Sequence, residues 1–279
     1  MASIFYGLLS ALSWGAGDFV GGIVSRRAGI YRAAFYGEGT GLIFLAIMLA
    51  FTREPLPAWS NLGWSALAGA VGAVGLLMLF RALAEGQMSV AAPVSALMAA
   101  ILPVLVSALT EGLPEAVKYL GFALALAAIW LISRGDDHQK KLHLHLADLW
   151  LPLVSGVCFG IYFIVMHRAS QTATVWPMVA SRTAGTIVLF FFAAARGQLS
   201  WPDKHTAPLV FLNSAGDIGG NTFYILAGQA GRLDVAAVLG SLYPGMTVLL
   251  AGLILHERLN WVQWVGIMAA LGAILLMTI

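Results

Sequence analysis

The chain has 279 residues, of which 60% are hydrophobic and 10% charged, and its mean hydropathy is +0.86. That leaves too little polar material to cover a water-soluble surface, which excludes a soluble enzyme or a globular binding module. The net charge of +2 is small, and the basic residues sit in loops rather than in a stripe interleaved with aromatics, which argues against a nucleic-acid partner.

A membrane-spanning helix needs about 20 consecutive apolar residues. Ten such runs occur: 4–24, 33–51, 63–84, 88–110, 116–133, 149–167, 175–195, 208–228, 234–255 and 261–278. The expected fold is an all-α integral membrane protein with ten transmembrane helices. Turns such as Arg53-Glu54-Pro55-Leu56-Pro57 separate the runs. The N-terminal run has no basic flank and continues too far for a signal peptide, so it reads as a retained first span. The one long polar segment, 134–147, links two halves, 1–133 and 148–279, of five spans each. Cys158 lies inside an apolar run and reads as a small buried hydrophobe, with no disulfide or zinc framework around it.

The halves repeat. At an offset of 145, the stretch from Leu8 to Gly15 falls on that from Leu153 to Gly160, and Val90-Ala91-Ala92 falls on Val235-Ala236-Ala237; with one inserted residue, Glu111 falls on Glu257. Five is odd, so the second copy lies in the membrane upside down relative to the first. Inverted five-helix repeats with a site near the midplane are a recurring transporter architecture.

Charged residues at membrane depth are costly and mark functional sites by default. Let side A be the face reached by the loop after the first span, and side B the face holding both termini. At about 1.5 Å per residue, Asp18 and Glu38 lie at one depth, somewhat to side A of the midplane. Asp217 is almost central, with Asn221 four residues on and so on the same helical face. Arg182 lies slightly to side B. Arg81, near the side-A end of the third span, is placed either to reach down to the acids or to snorkel to the headgroups. Acids near the centre with an arginine suit proton coupling or recognition of a charged solute. Their structural alternative is an ion-pair network holding the halves together. Runs of small residues, such as Gly69, Gly72 and Gly75 or Gly216, Gly219 and Gly220, allow close helix approach.

Three motifs carry little. Gly15-Ala16-Gly17-Asp18 matches an intramembrane aspartyl protease pattern but lacks its Tyr-Asp partner. His256-Glu257-Arg258-Leu259-Asn260 begins like a zinc-protease motif and ends in Asn. His138, His143 and His145 lie in the polar linker. The sequence calls for no enzyme activity, cofactor or metal.

Trp14-Gly15 followed by Asp18-Phe19, Arg81-Ala82-Leu83-Ala84, and the stretch from Ser241-Leu242-Tyr243-Pro244 to Glu257-Arg258 resemble the EamA type of the drug/metabolite transporter superfamily. The resemblance covers essentially the whole chain. It implies a ten-helix bundle with a central cavity lined by helices 1–4 and 6–9, helices 5 and 10 being peripheral, and secondary transport of small metabolites, often export. On that reading Trp14, Asp18, Arg182, Asp217, Asn221 and Tyr243 fall on cavity-lining helices. Many relatives carry an arginine in the second span where this chain reads Tyr36-Gly37-Glu38-Gly39, a change that favours cationic or zwitterionic substrates.

The expected protein is therefore a multi-pass carrier of the bacterial inner membrane, a monomer or homodimer in the lipid bilayer. Its substrate is a small molecule, with protons as the coupling ion. Glu38 and Asp217 bind the proton or cation, Arg182 tunes them or holds a substrate anion, and Trp14 and Tyr243 supply aromatic walls. A non-transporting scaffold and a passive channel are the alternatives. Outside Arg182, side A carries ten Lys and Arg and side B four. The positive-inside rule thus puts both termini outside, whereas the family resemblance implies cytoplasmic termini.

Overall fold

The computed structural model describes residues 1–85, 88–132, 149–254 and 260–278. The histidines of the linker, Glu257 and Arg258 lie outside the described residues. The described chain is helical: α1 (Ala2–Ala28), α2 (Ile30–Thr52), α3 (Trp59–Glu85), α4 (Met88–Thr110), α5 (Ala116–Ile132), α6 (Trp150–Ala169), α7 (Val175–Ala195), α8 (Ala207–Gln229), α9 (Leu233–Gly240), α10 (Tyr243–Ile254) and α11 (Trp261–Thr278). With no water in the hydrocarbon to satisfy backbone polar groups, each apolar run closes its own hydrogen bonds as a helix.

One expected span is broken. The run 234–255 is continuous in hydropathy, yet the chain turns at Ser241 and Leu242 between α9 and α10. Pro244 has no N–H to return to the carbonyl of Gly240. The turn is instead held by Ser241 N–H donating to the Ala237 carbonyl and Leu242 N–H to that of Leu239.

The packing follows a pseudo-two-fold axis relating α1 to α6, α2 to α7, α3 to α8 and α5 to α11. The crossing of α1 on α8 has its counterpart in α6 on α3, while α2 packs on α7 and α5 on α11. Detail repeats as well. The Trp14 ring lies against Gly220, and 145 residues away in each helix the Phe159 ring lies 3.4 Å from where a Cβ on Gly75 would sit. Helices α5 and α11 pack chiefly on each other, at Gly121 against Met277 and Gly266 against Ile132, which leaves the centre to the other helices.

Glycines set the closest approaches. A Cβ at Gly69 in α3 would overlap the backbone carbonyl of Ser181 in α7, and one at Gly216 would lie 2.7 Å from the Cα of Gly17. Gly69→Ala should therefore lower the melting temperature in detergent by the equivalent of about 1–3 kcal/mol, the usual penalty of overpacking. Gly63→Ala in the same helix, with nothing within 4 Å of the new methyl group, should leave it unchanged or raise it.

Candidate substrate and ion site

The centre of the bundle is built around Arg182 of α7, whose side chain is 8% exposed. Its guanidinium reaches two helices. One terminal nitrogen pairs with Glu38 Oε1 of α2 at 2.7 Å, and the other donates to Asp217 Oδ2 of α8. Room for the fork comes from Gly41, where a Cβ would lie 3.3 Å from Arg182 Nε, and from Gly185, where one would lie 3.4 Å from Glu38 Oε2. A planar guanidinium shared by two carboxylates satisfies both acids with one base.

Asp217 is tied further. Asn221 Nδ2, one turn along α8, donates to the Asp217 carbonyl at 2.8 Å and to Asp217 Oδ1 at 3.2 Å. Asn221 Oδ1 accepts from the hydroxyl of Tyr162 in α6 at 2.5 Å. The order Glu38, Arg182, Asp217, Asn221, Tyr162 thus threads four helices. Ser214 Oγ donates to the Gly37 carbonyl at 2.7 Å and pins α8 to α2 beside it.

The remaining residues singled out in the sequence divide. Asp18 of α1 is exposed, and it lies within electrostatic reach of Asp217 and of Tyr243 at the start of α10. Trp14 is buried, its ring 5.5 Å from that of Phe163 and 5.9 Å from that of Tyr224; those two rings are 4.7 Å apart. Tyr243 is half-buried and packs against this aromatic group. Arg81 is exposed near the end of α3, and Arg182 is the base that meets the acids. Sequence reasoning missed Tyr162. In an apolar run it resembles any core aromatic, and the one signal was that its repeat partner at the offset of 145 is Gly17.

The two ends of this centre differ. Toward side B the Trp14, Phe163 and Tyr224 rings close it, and Tyr224 donates to the Phe163 carbonyl at 2.9 Å. Beyond that layer, at the side-B surface, Glu111 accepts from Leu233 N–H at the head of α9 and faces His167 at 3.7 Å. Arg232 donates to the Gly112 carbonyl at 2.7 Å and forks onto the buried Asp234. A separate hollow of about 590 Å³, lined in part by His167, Gln171 and Gln229, lies outside this seal. Toward side A, apart from the neighbouring backbone of α1 itself, no described atom lies within 4 Å of the space a Cβ on Gly22 would fill, one turn beyond Asp18.

Two five-helix halves thus frame Glu38, Asp217 and Arg182 at the centre of the bundle, and the match to a known family decides what that frame is. The EamA-like transporter family model matches residues 1–134 and again 145–279. The chain belongs to the EamA-like transporter family. It is accordingly a membrane transporter of the drug/metabolite transporter superfamily, whose members are transporters and not enzymes. No curated protein matches significantly. Among solved structures, the crystal structure of a protein 15% identical superimposes with a TM-score of 0.81 over 99% of this chain and 96% of that one, a likeness of fold alone.

The shared guanidinium makes a stability prediction. Arg182→Met should cost about 3–5 kcal/mol, because two carboxylates then stay at membrane depth without their base. Replacing all three residues together, with Met at 182, Gln at 38 and Asn at 217, should regain most of the loss. Thermal unfolding of the purified proteins in one detergent checks both.

Proposed function

We propose that this EamA-like transporter is a secondary carrier of small cationic or zwitterionic, amino-acid-like solutes. It works by alternating access around the Arg182 centre, most simply in the direction of export and coupled to protons. The observation that carries this reading is the balance of groups: one buried arginine faces Glu38 and Asp217, with Asp18 beside them, so that acidic side chains outnumber the base by two. An excess of negative charge at membrane depth is costly until a proton or a positively charged solute offsets it. Proton and solute then alternate at one centre, which is the requirement for coupling them. Trp14, Asn221 and Tyr243 complete the proposed site, and Arg81 is a residue of its side-A approach. The two repeats, 1–133 and 148–279, act as the rocking bodies, and the bacterial inner membrane is the proposed location.

The test is charge movement in reconstituted liposomes on rapid addition of amino acids, polyamines and organic cations at several pH values. A saturable, pH-dependent signal is expected for the wild type, falling about tenfold or more in Asp217→Asn, which corresponds to about 1.4 kcal/mol of lost interaction. Flux that rises in proportion to concentration without saturating would identify a channel. Absence of both flux and ligand-induced stabilisation would leave a scaffold.

A further inference from the structure

Glu38 and Asp217 spend their charge on Arg182, and Asp217 is held again by Asn221. Asp18 differs from both. Among the described residues it takes part in no hydrogen bond or ion pair, although it sits within a helix packed against α2, α8, α9 and α10.

The direction in which it points is set by its neighbours on α1. Trp14, Gly17 and Gly21 form the row that meets α8, at Gly220, at Gly216 and the Asp217 N–H, and at Asn213. Gly15 meets α10, at Met246 and the Tyr243 carbonyl. At 3.6 residues per turn Asp18 projects about 40° from Trp14 and about 60° from Gly15, between the two rows. Its carboxyl therefore opens into the wedge between α8 and α10, where Asp217 and Tyr243 are its electrostatic neighbours. Gly22 projects into the same wedge one turn nearer side A, and there the described space is open. On side B the wedge ends on the Trp14 ring, packed against Phe163 and Tyr224.

We propose that Asp18 is the seat for the positive group of the solute: a primary ammonium, or a comparable small organic cation, carried on an apolar body. The wedge supplies a carboxylate wall and an aromatic floor, and toward side A, at Gly22, the described space is open. A zwitterion is the poorer fit, because the Arg182 fork is already taken by two carboxylates and offers a solute carboxylate no partner. The inference narrows the substrate class of the carrier proposed above and rests on that reading only for the steps after binding.

Dicyclohexylcarbodiimide attaches to membrane-embedded carboxyl groups that are not held in ion pairs, and peptide mass mapping gives the rate at each position. With the purified full chain, Asp18 should be modified faster than Glu38 and Asp217. Phenethylamine near saturation should slow that modification about tenfold, in line with occupancy of a single site. Its neutral isostere 2-phenylethanol should not slow it. Faster modification of Glu38 or Asp217 overturns the assignment, and so does an equal effect of the two probes on Asp18, including no effect of either. The carrier reading fails separately: selective protection of Asp18 in a protein that moves no solute across liposomes would remove transport and leave the ammonium seat standing.

Discussion

The bridge from Arg182 to Glu38 and Asp217 is the interaction on which the centre of the molecule depends. Each of the three would be prohibitive alone at this depth, since an isolated ion in hydrocarbon loses its hydration and gains nothing in return. Together they fix the rotation of α2, α7 and α8 about their own axes, because a guanidinium must present its edge to both carboxylates at once. Apolar packing between lipid-facing helices has no comparable directional demand. The glycines at 41 and 185 exist in this context: they clear the volume that the fork and its partners occupy.

Duplication builds the frame, and departures from it build the site. The charged residues have no charged counterparts at the offset of 145: Asp217 corresponds to Gly72, Arg182 to Gly37, Glu38 to Thr183 and Asp18 to Phe163. At the α1 and α8 crossing a small Gly17 sits beside Asp217; at the equivalent α6 and α3 crossing the sizes are exchanged, Tyr162 lying over Gly72. Gly72 admits the Tyr162 ring, whereas Gly17 admits the α8 backbone at Gly216 and Asp217. Tyr162 and Asp217 are then brought within reach of one another through Asn221. A symmetric pair of helices thereby encloses an asymmetric set of donors and acceptors.

This division also explains what was legible in the sequence. Ten apolar runs and their repetition are written along the chain, since lipid imposes the same composition on every span, and the depth of each charge comes from counting residues. Depth is not azimuth, however. Counting put Asp18 and Glu38 at one depth on side A, Asp217 near the middle and Arg182 slightly to side B, but could not say that one guanidinium serves both Glu38 and Asp217, nor that Asp18 projects into a different wedge. The break between α9 and α10 was hidden for a related reason: hydropathy is continuous from 234 to 255, and only Pro244 marked the carbonyl left without its helical partner. Tyr162 was invisible because its role depends on α8 lying beside it.

The arrangement is one-sided, and that bears on how it works. Toward side A the described space beside Gly22 is open, while toward side B lie first the Trp14, Phe163 and Tyr224 rings and then the cap that Glu111 places on α9. On the carrier reading proposed above, exposing the same centre to side B would require the rings to part and the head of α9 to leave Glu111. The helix best placed to do so is the one already interrupted at Ser241 and Leu242, since a turn lacking a continuous hydrogen-bond ladder can redirect its first half without unfolding its second. Tyr243 stands at that turn, within electrostatic reach of Asp18. The ion bridge ties three helices together; the unpaired acid lies on α1, which packs on both parts of the interrupted span.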